Sequence, residues 1–136
     1  MAIAPTVKSV HTIFVVDDDP DQAQLLATAL SADGRRVRAF SDPIRALASL
    51  TSEPADLLIA DLSMPWLDGA QIVESAREHR PELDIILVSG YSRGAEVAAA
   101  HGLRFFGKPI DLDRLRAAVQ AILTGHPAAP APALEP

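Results

Sequence analysis

The chain has 136 residues, 49% of them hydrophobic, and a net charge of −6 at neutral pH. That is enough for one domain with a buried core, and too acidic for general nucleic-acid binding. The absence of cysteine excludes disulfides and thiolate metal sites.

Residues Met1 to Val10 lack the apolar centre of a secretory signal. No apolar run approaches the ~18 residues of a membrane span. The expectation is a soluble cytoplasmic domain, with residues 1–11 as an N-terminal arm. A first strand is predicted over Thr12 to Asp17, built on Ile13-Phe14-Val15-Val16. A helix opens at Pro20, a favoured first helical residue, and stops by Asp33-Gly34. Its apolar spacing is Leu25, Leu26, Ala29 and Leu30.

Arg36 to Phe40 alternates and suits a strand, with Arg35, Arg36 and Arg38 on a solvated edge. Ser41-Asp42-Pro43 caps a helix that runs to Leu50. Leu57 to Ala60 reads as a buried strand. Asp68-Gly69 opens a helix through His79, ended by Pro81, with Asp68 as a cap. Asp84 to Ser89 is another buried strand. Gly94 to His101 gives a short alanine-rich helix, and Leu103 to Phe106 a last short strand. Asp111 caps a final helix with Leu112, Leu115, Val119 and Ile122 on one face. The domain is expected over residues 12–124. Residues 125–136 are Pro/Ala-rich and read as a disordered tail or linker.

Strands alternating with helices imply an α/β fold, a single doubly wound five-stranded parallel sheet. The order 2-1-3-4-5 makes strands 1 and 3 neighbours, and ligands bind where the strand order reverses. Five chemical groups then converge at strand carboxyl ends. Asp17 and Asp18 end strand 1, Asp61 ends strand 3, Ser89 ends strand 4, and Lys108 follows strand 5. Crowded carboxylates oppose burial: two like charges ~4 Å apart repel by about 4 kcal/mol at an effective dielectric of 20. Such a cluster holds a cation, shares a proton or does chemistry. Oxygen ligands suit Mg²⁺, which keeps several of its waters. A cation there would also polarise an incoming phosphoryl group, with Lys108 and Ser89 serving its remaining oxygens.

These residues resemble the response-regulator receiver domain, a CheY-like fold of two-component signalling. The resemblance rests on Val16-Asp17-Asp18-Asp19-Pro20, Asp61-Leu62-Ser63-Met64-Pro65, Val88-Ser89-Gly90-Tyr91 and Gly107-Lys108-Pro109, in that order. It spans Thr12 to Leu123. It implies that Asp61 accepts a phosphoryl group from a sensor histidine kinase or a histidine phosphotransfer protein. It implies that Asp17, Asp18, Asp61 and the Ser63 carbonyl hold Mg²⁺. Ser89, Lys108 and Phe105 become the phosphate-contacting and switch residues, while Ser63 and Tyr91 tune the lifetime of the phosphoryl group. Adjacent strand residues face opposite ways, so only one of Phe105 and Phe106 can be the switch aromatic. The segment between Ser89 and Lys108 is short, which implies a shortened helix 4. An output partner is implied but not named, and the chain is expected as a monomer or weak dimer.

Three other functions compete. An EF-hand would need Gly and Glu where Gln22 and Thr28 stand, and a helix where the first strand lies. An aspartate-nucleophile phosphatase could use Asp17 and Asp19, but Asp21 replaces its Thr or Val and Asp61 to Pro65 go unexplained. A receiver-like interaction module without phosphorylation has no need to keep three charged acids. The scattered histidines, His11, His79, His101 and His126, suggest no site, and Trp66 is expected in the loop beside Asp61.

Overall fold

The computed structural model describes residues 10–61, 69–90 and 92–124, with the backbone alone at Ser92 and Arg93. Five parallel strands lie in the order β2-β1-β3-β4-β5. They are β1 (Thr12–Val16), β2 (Arg36–Phe40), β3 (Leu57–Asp61), β4 (Asp84–Ser89) and β5 (Arg104–Gly107). Between and after them run α1 (Pro20–Ser31), α2 (Pro43–Ser49), α3 (Gly69–His79), α4 (Ser92–His101) and α5 (Leu112–Leu123).

The pleat explains the apolar runs. Phe14, Val16, Leu58, Ala60, Ile85 and Leu87 face one way, onto α2, α3 and α4. Ile13, Val15, Leu57, Ile59, Ile86 and Val88 face the other way, onto α1 and α5. A strand buried on both faces cannot alternate in polarity. Each fully buried Leu, Ile or Phe contributes ~1.5–3 kcal/mol, so the three central strands carry most of the core.

Three helix starts follow their sequence signals. Asp19 accepts from the Asp21 amide at 3.0 Å and Asp42 from the Ile44 amide at 2.9 Å, each with proline next. Asp111 accepts from the Arg114 amide at 3.2 Å. Asp68, expected to cap α3, lies outside the described residues.

Helix α4 is shorter than α1, α3 and α5, as expected, but it starts at Ser92 rather than Gly94 and has 10 residues. The brevity of the Ser89–Lys108 span falls on its connections: only Gly90 and Tyr91 separate β4 from α4, and Gly102 and Leu103 separate α4 from β5. Gly102 has φ +68, a left-handed value that glycine reaches without strain. The shortest helix is α2, with 7 residues.

The arginine edge is only partly solvated. Arg36 and Arg38 are exposed, and Arg38 pairs with Glu53 and lies over the Phe40 ring at 5.1 Å. Arg35 turns inward, with a side chain 9% exposed, onto Asp33 at 3.2 Å and Gln120 at 2.6 Å. No helix among the described residues is long and apolar enough to cross a membrane.

Candidate functional site

The register of the sheet brings the strand ends together. Val16 pairs with Ala60 and with Phe40, Asp61 with Val88, and Ser89 with Gly107. Asp17 therefore leaves β1 beside Asp61, the last residue of β3. Its amide donates to the Phe40 carbonyl at 3.0 Å, which ties it to the end of β2. The Lys108 amide donates to the Ser89 carbonyl at 3.0 Å, so the lysine emerges over the same edge. The Lys108–Pro109 peptide is cis.

Burial divides the site. Asp17, Asp61 and Ser89 are the buried polar or charged residues among those described, while Asp18 is exposed. One carboxylate oxygen from each of Asp17, Asp18 and Asp61 lies within 4.8 Å of the others. Lys108 Nζ donates to Asp61 Oδ2 at 2.6 Å and sits 3.9 Å from Asp17 Oδ2. The ammonium thus serves the acids from one side.

The electrostatics follow from this placement. Burial pushes the Asp17 carboxyl up from 3.8 to about 6, opposed by the Asp19 amide and reinforced by the charge of Asp61. Burial pulls Lys108 down, but its hydrogen bond to Asp61 and the acids around it outweigh that and hold it above its ordinary value. Counted formally, three carboxylates and one ammonium give a local charge of −2, which a divalent cation would neutralise. The donor set is all oxygen, as Mg²⁺ requires. Neighbouring oxygens on one octahedral Mg²⁺ stand about 3 Å apart, so the three carboxylates would draw together around the ion. The residues present fit the ion.

The sequence-predicted residues are distributed as follows. Asp17, Asp18, Asp61 and Lys108 are brought together, with Ser89 beside them on β4. Phe105, half-buried in β5, lies on the α4 face, while Phe106 lies on the α5 face. One of the two therefore faces α4 and the other α5, as the pleat requires. Ser63, Tyr91 and Trp66 lie outside the described residues. Sequence reasoning missed two supports of Asp17: the Phe40 carbonyl and the Asp19 amide, which donates to Asp17 Oδ1 at 3.0 Å. The Asp19-Pro20 pair, a cap followed by a first helical proline, was the available signal for the second.

Comparison with known proteins places this geometry in a class. Residues 13–120 match the family model described as the response regulator receiver domain. The chain belongs to that family, whose proteins serve two-component signalling. It is 29% identical over 117 residues to the DNA-binding transcriptional regulator NtrC of Proteus hauseri, covering 84% of this chain and 25% of the relative. It is 30% identical over 128 residues to the transcriptional regulatory protein TcrA of Mycobacterium tuberculosis, covering 90% of this chain and 50% of that protein. The chain thus spans a quarter to a half of these relatives. Among solved structures, a CheY-like receiver domain from Methanospirillum hungatei superposes with a TM-score of 0.79 at 24% identity, covering 86% of this chain and 96% of the other. The response regulator TrrA of Thermotoga maritima, solved in complex with Mg²⁺ and BeF, gives 0.74 at 26% identity, covering 82% and 98%.

Proposed function

We propose that the chain is a phospho-accepting receiver, with Asp61 as the acceptor, in a phosphorelay fed by a sensor histidine kinase or a histidine phosphotransfer protein. The observation that carries this reading is the placement of Asp61: buried at a strand end, with Lys108 Nζ at 2.6 Å and two further carboxylates in reach. An Asp61 oxygen forms the new P–O bond as the donor's P–N bond breaks, and the leaving imidazole keeps its electron pair. Asp17, Asp18 and Asp61, with the Ser63 carbonyl, hold Mg²⁺. When bound, the ion supplies charge neutralisation among the acids and polarises phosphoryl oxygens. Lys108 supplies a fixed positive charge for the oxygens, and Ser89 a hydroxyl donor. Phe105 is the switch aromatic, and Ser63 and Tyr91 set how long the phosphoryl group survives. The domain turns over no external substrate, acts in the cytoplasm and passes its state to an output partner.

Intact mass after incubation with Mg²⁺ and acetyl phosphate tests the reading. One phosphate adduct, removable by hydroxylamine as an acyl phosphate must be, is expected on the wild-type chain and none on Asp61→Asn. A full adduct on that variant would end the assignment. Steady turnover of an external phosphate ester would instead favour an aspartate-nucleophile phosphatase.

A further inference from the structure

Asp17, Asp18 and Asp19 are consecutive, yet the oxygen cluster takes only the first two together with Asp61. The third acid is occupied elsewhere. Its side chain accepts from the Asp21 amide at 3.0 Å and caps α1, with Asp19 itself extended at φ −92 and ψ 107. Its own amide donates in the opposite direction, to Asp17 Oδ1 at 3.0 Å. One residue therefore links the start of a helix to a buried carboxylate. Pro20 reinforces the geometry, because the residue before a proline is confined to extended backbone. Asp17 is then held at its amide by Phe40 and at Oδ1 by Asp19. Its Oδ2 is the oxygen on the Lys108 side, 3.9 Å from Nζ.

We infer that Asp19 is a positioning residue for the cation site: by capping α1 it fixes the amide that holds Asp17 Oδ1, and it is not a ligand. This rests on the proposed Mg²⁺ site. The rival explanation is that Asp19 contributes only its negative charge near the acids. The two separate cleanly by substitution. Asn caps a helix about as well as Asp, so Asp19→Asn keeps the cap and loses the charge. Asp19→Ala loses both.

The test is calorimetric titration of Mg²⁺ into the full chain and both variants, with amide hydrogen exchange of residue 19 followed by NMR in metal-free buffer. Positioning predicts wild-type affinity for Asp19→Asn and about tenfold weaker binding for Asp19→Ala, the scale of losing a group that orients a ligand. It also predicts a slowly exchanging residue 19 amide in the wild type and Asp19→Asn, lost in Asp19→Ala. Equal weakening of both variants, or an alanine variant that binds like the wild type, overturns it. Should Asp19→Ala fail to fold, the Asn variant still decides, since the charge explanation requires it to bind more weakly. A wild-type chain that takes no Mg²⁺ sinks the metal reading instead. The amide exchange then reports by itself whether the cap holds Asp17.

Discussion

At the scale of single residues, the site is a balance between burial and charge. Asp17 illustrates it: its carboxyl titrates near 6 rather than 3.8, chiefly because it is buried. A group that holds its proton more tightly when folded contributes stability below its unfolded pKa. That contribution is lost as pH rises through the folded value. For Asp17 the loss falls between about pH 4 and pH 6. Above that window the metal-free fold carries an ionised, buried acid beside Asp61. Asp17→Asn removes the charge while leaving an oxygen to accept from the Asp19 amide. The variant is expected to melt higher than the wild type in EDTA at pH 7.5, by a few degrees for each kcal/mol relieved, roughly 3–5 °C in a domain of this size. The advantage should shrink toward pH 4.5. Differential scanning calorimetry at both pH values checks it, and a pH-independent gap would contradict the account. That Asp17, Asp18 and Asp61 come together was legible in the sequence, because carboxylates at the ends of apolar runs have no core role to play. Which of three consecutive acids turns inward was not legible. That choice depends on the Asp17 amide reaching the Phe40 carbonyl, a contact set by strand register rather than by composition.

At the scale of elements, the boundaries of β2 and β4 coincide with their expected ranges, because alternation and a continuous apolar run leave little freedom. Helix α4 was less legible. No proline marks its start, and the alanine-rich composition alone suggested Gly94. Helix α5 holds a contact that no local pattern predicts. Arg116 reaches across to the α1–β2 turn and grips both oxygens of Asp33, at 3.0 and 2.5 Å. Arg35 joins from the same turn, bonded to Asp33 and to Gln120 on α5. The α5 partners of Asp33 and Arg35 lie 83 and 85 residues away in sequence, beyond any periodicity argument. The Arg116 guanidinium holds the Asp33 carboxyl below its ordinary 3.8. A lowered carboxyl pKa contributes stability above the unfolded value, and the contribution is lost as pH falls through the folded one. Asp33→Asn should therefore melt below the wild type at pH 7, with the difference shrinking as the pH falls below the usual carboxylate range. Thermal melts across that range, read by circular dichroism, check the clamp. A difference that persists undiminished into acid would mean the charge of Asp33 is not its contribution.

At the scale of the whole molecule, the two ends of the sheet do different work. The acidic site sits at the strand carboxyl ends, and the clamp ties α5 to the turn before β2. Helix α4 packs through small residues: Gly94 and Ala98 are buried and Val97 half-buried, and His101 Nε2 stands 4.0 Å from Glu74 of α3. Its exposed residues are mostly small, Ala95, Ala99 and Ala100 beside Glu96. On the proposed function, phosphorylation at Asp61 would add acceptor oxygens beside Ser89, the last residue of β4, two residues before α4 begins. A charge-assisted hydrogen bond is worth about 1.5–3 kcal/mol, and Lys108 is already bonded to Asp61, so its gain is partial. A full population reversal from 1:99 to 99:1 requires about 5.5 kcal/mol. The expected switch is therefore partial, and confined to β4, α4 and the β5 strand that carries Phe105. It should not reach α5, whose Leu115 and Val119 are fully buried and whose Arg116 and Gln120 are engaged. Arg116 is already committed to Asp33, so loading with Mg²⁺ and BeF₃⁻ should not induce a dimer through α5. Charge reversal at Arg116 would break the clamp as well as any interface, which makes exposed Arg114 the cleaner probe. Hydrogen exchange and light scattering before and after BeF₃⁻ treatment check both statements. Altered exchange is expected from Ser89 through Phe105, with the Leu115 to Val119 amides unchanged. Equal changes along α5, or a BeF₃⁻-induced dimer lost on Arg114→Glu, would show that the clamp does not fix this helix.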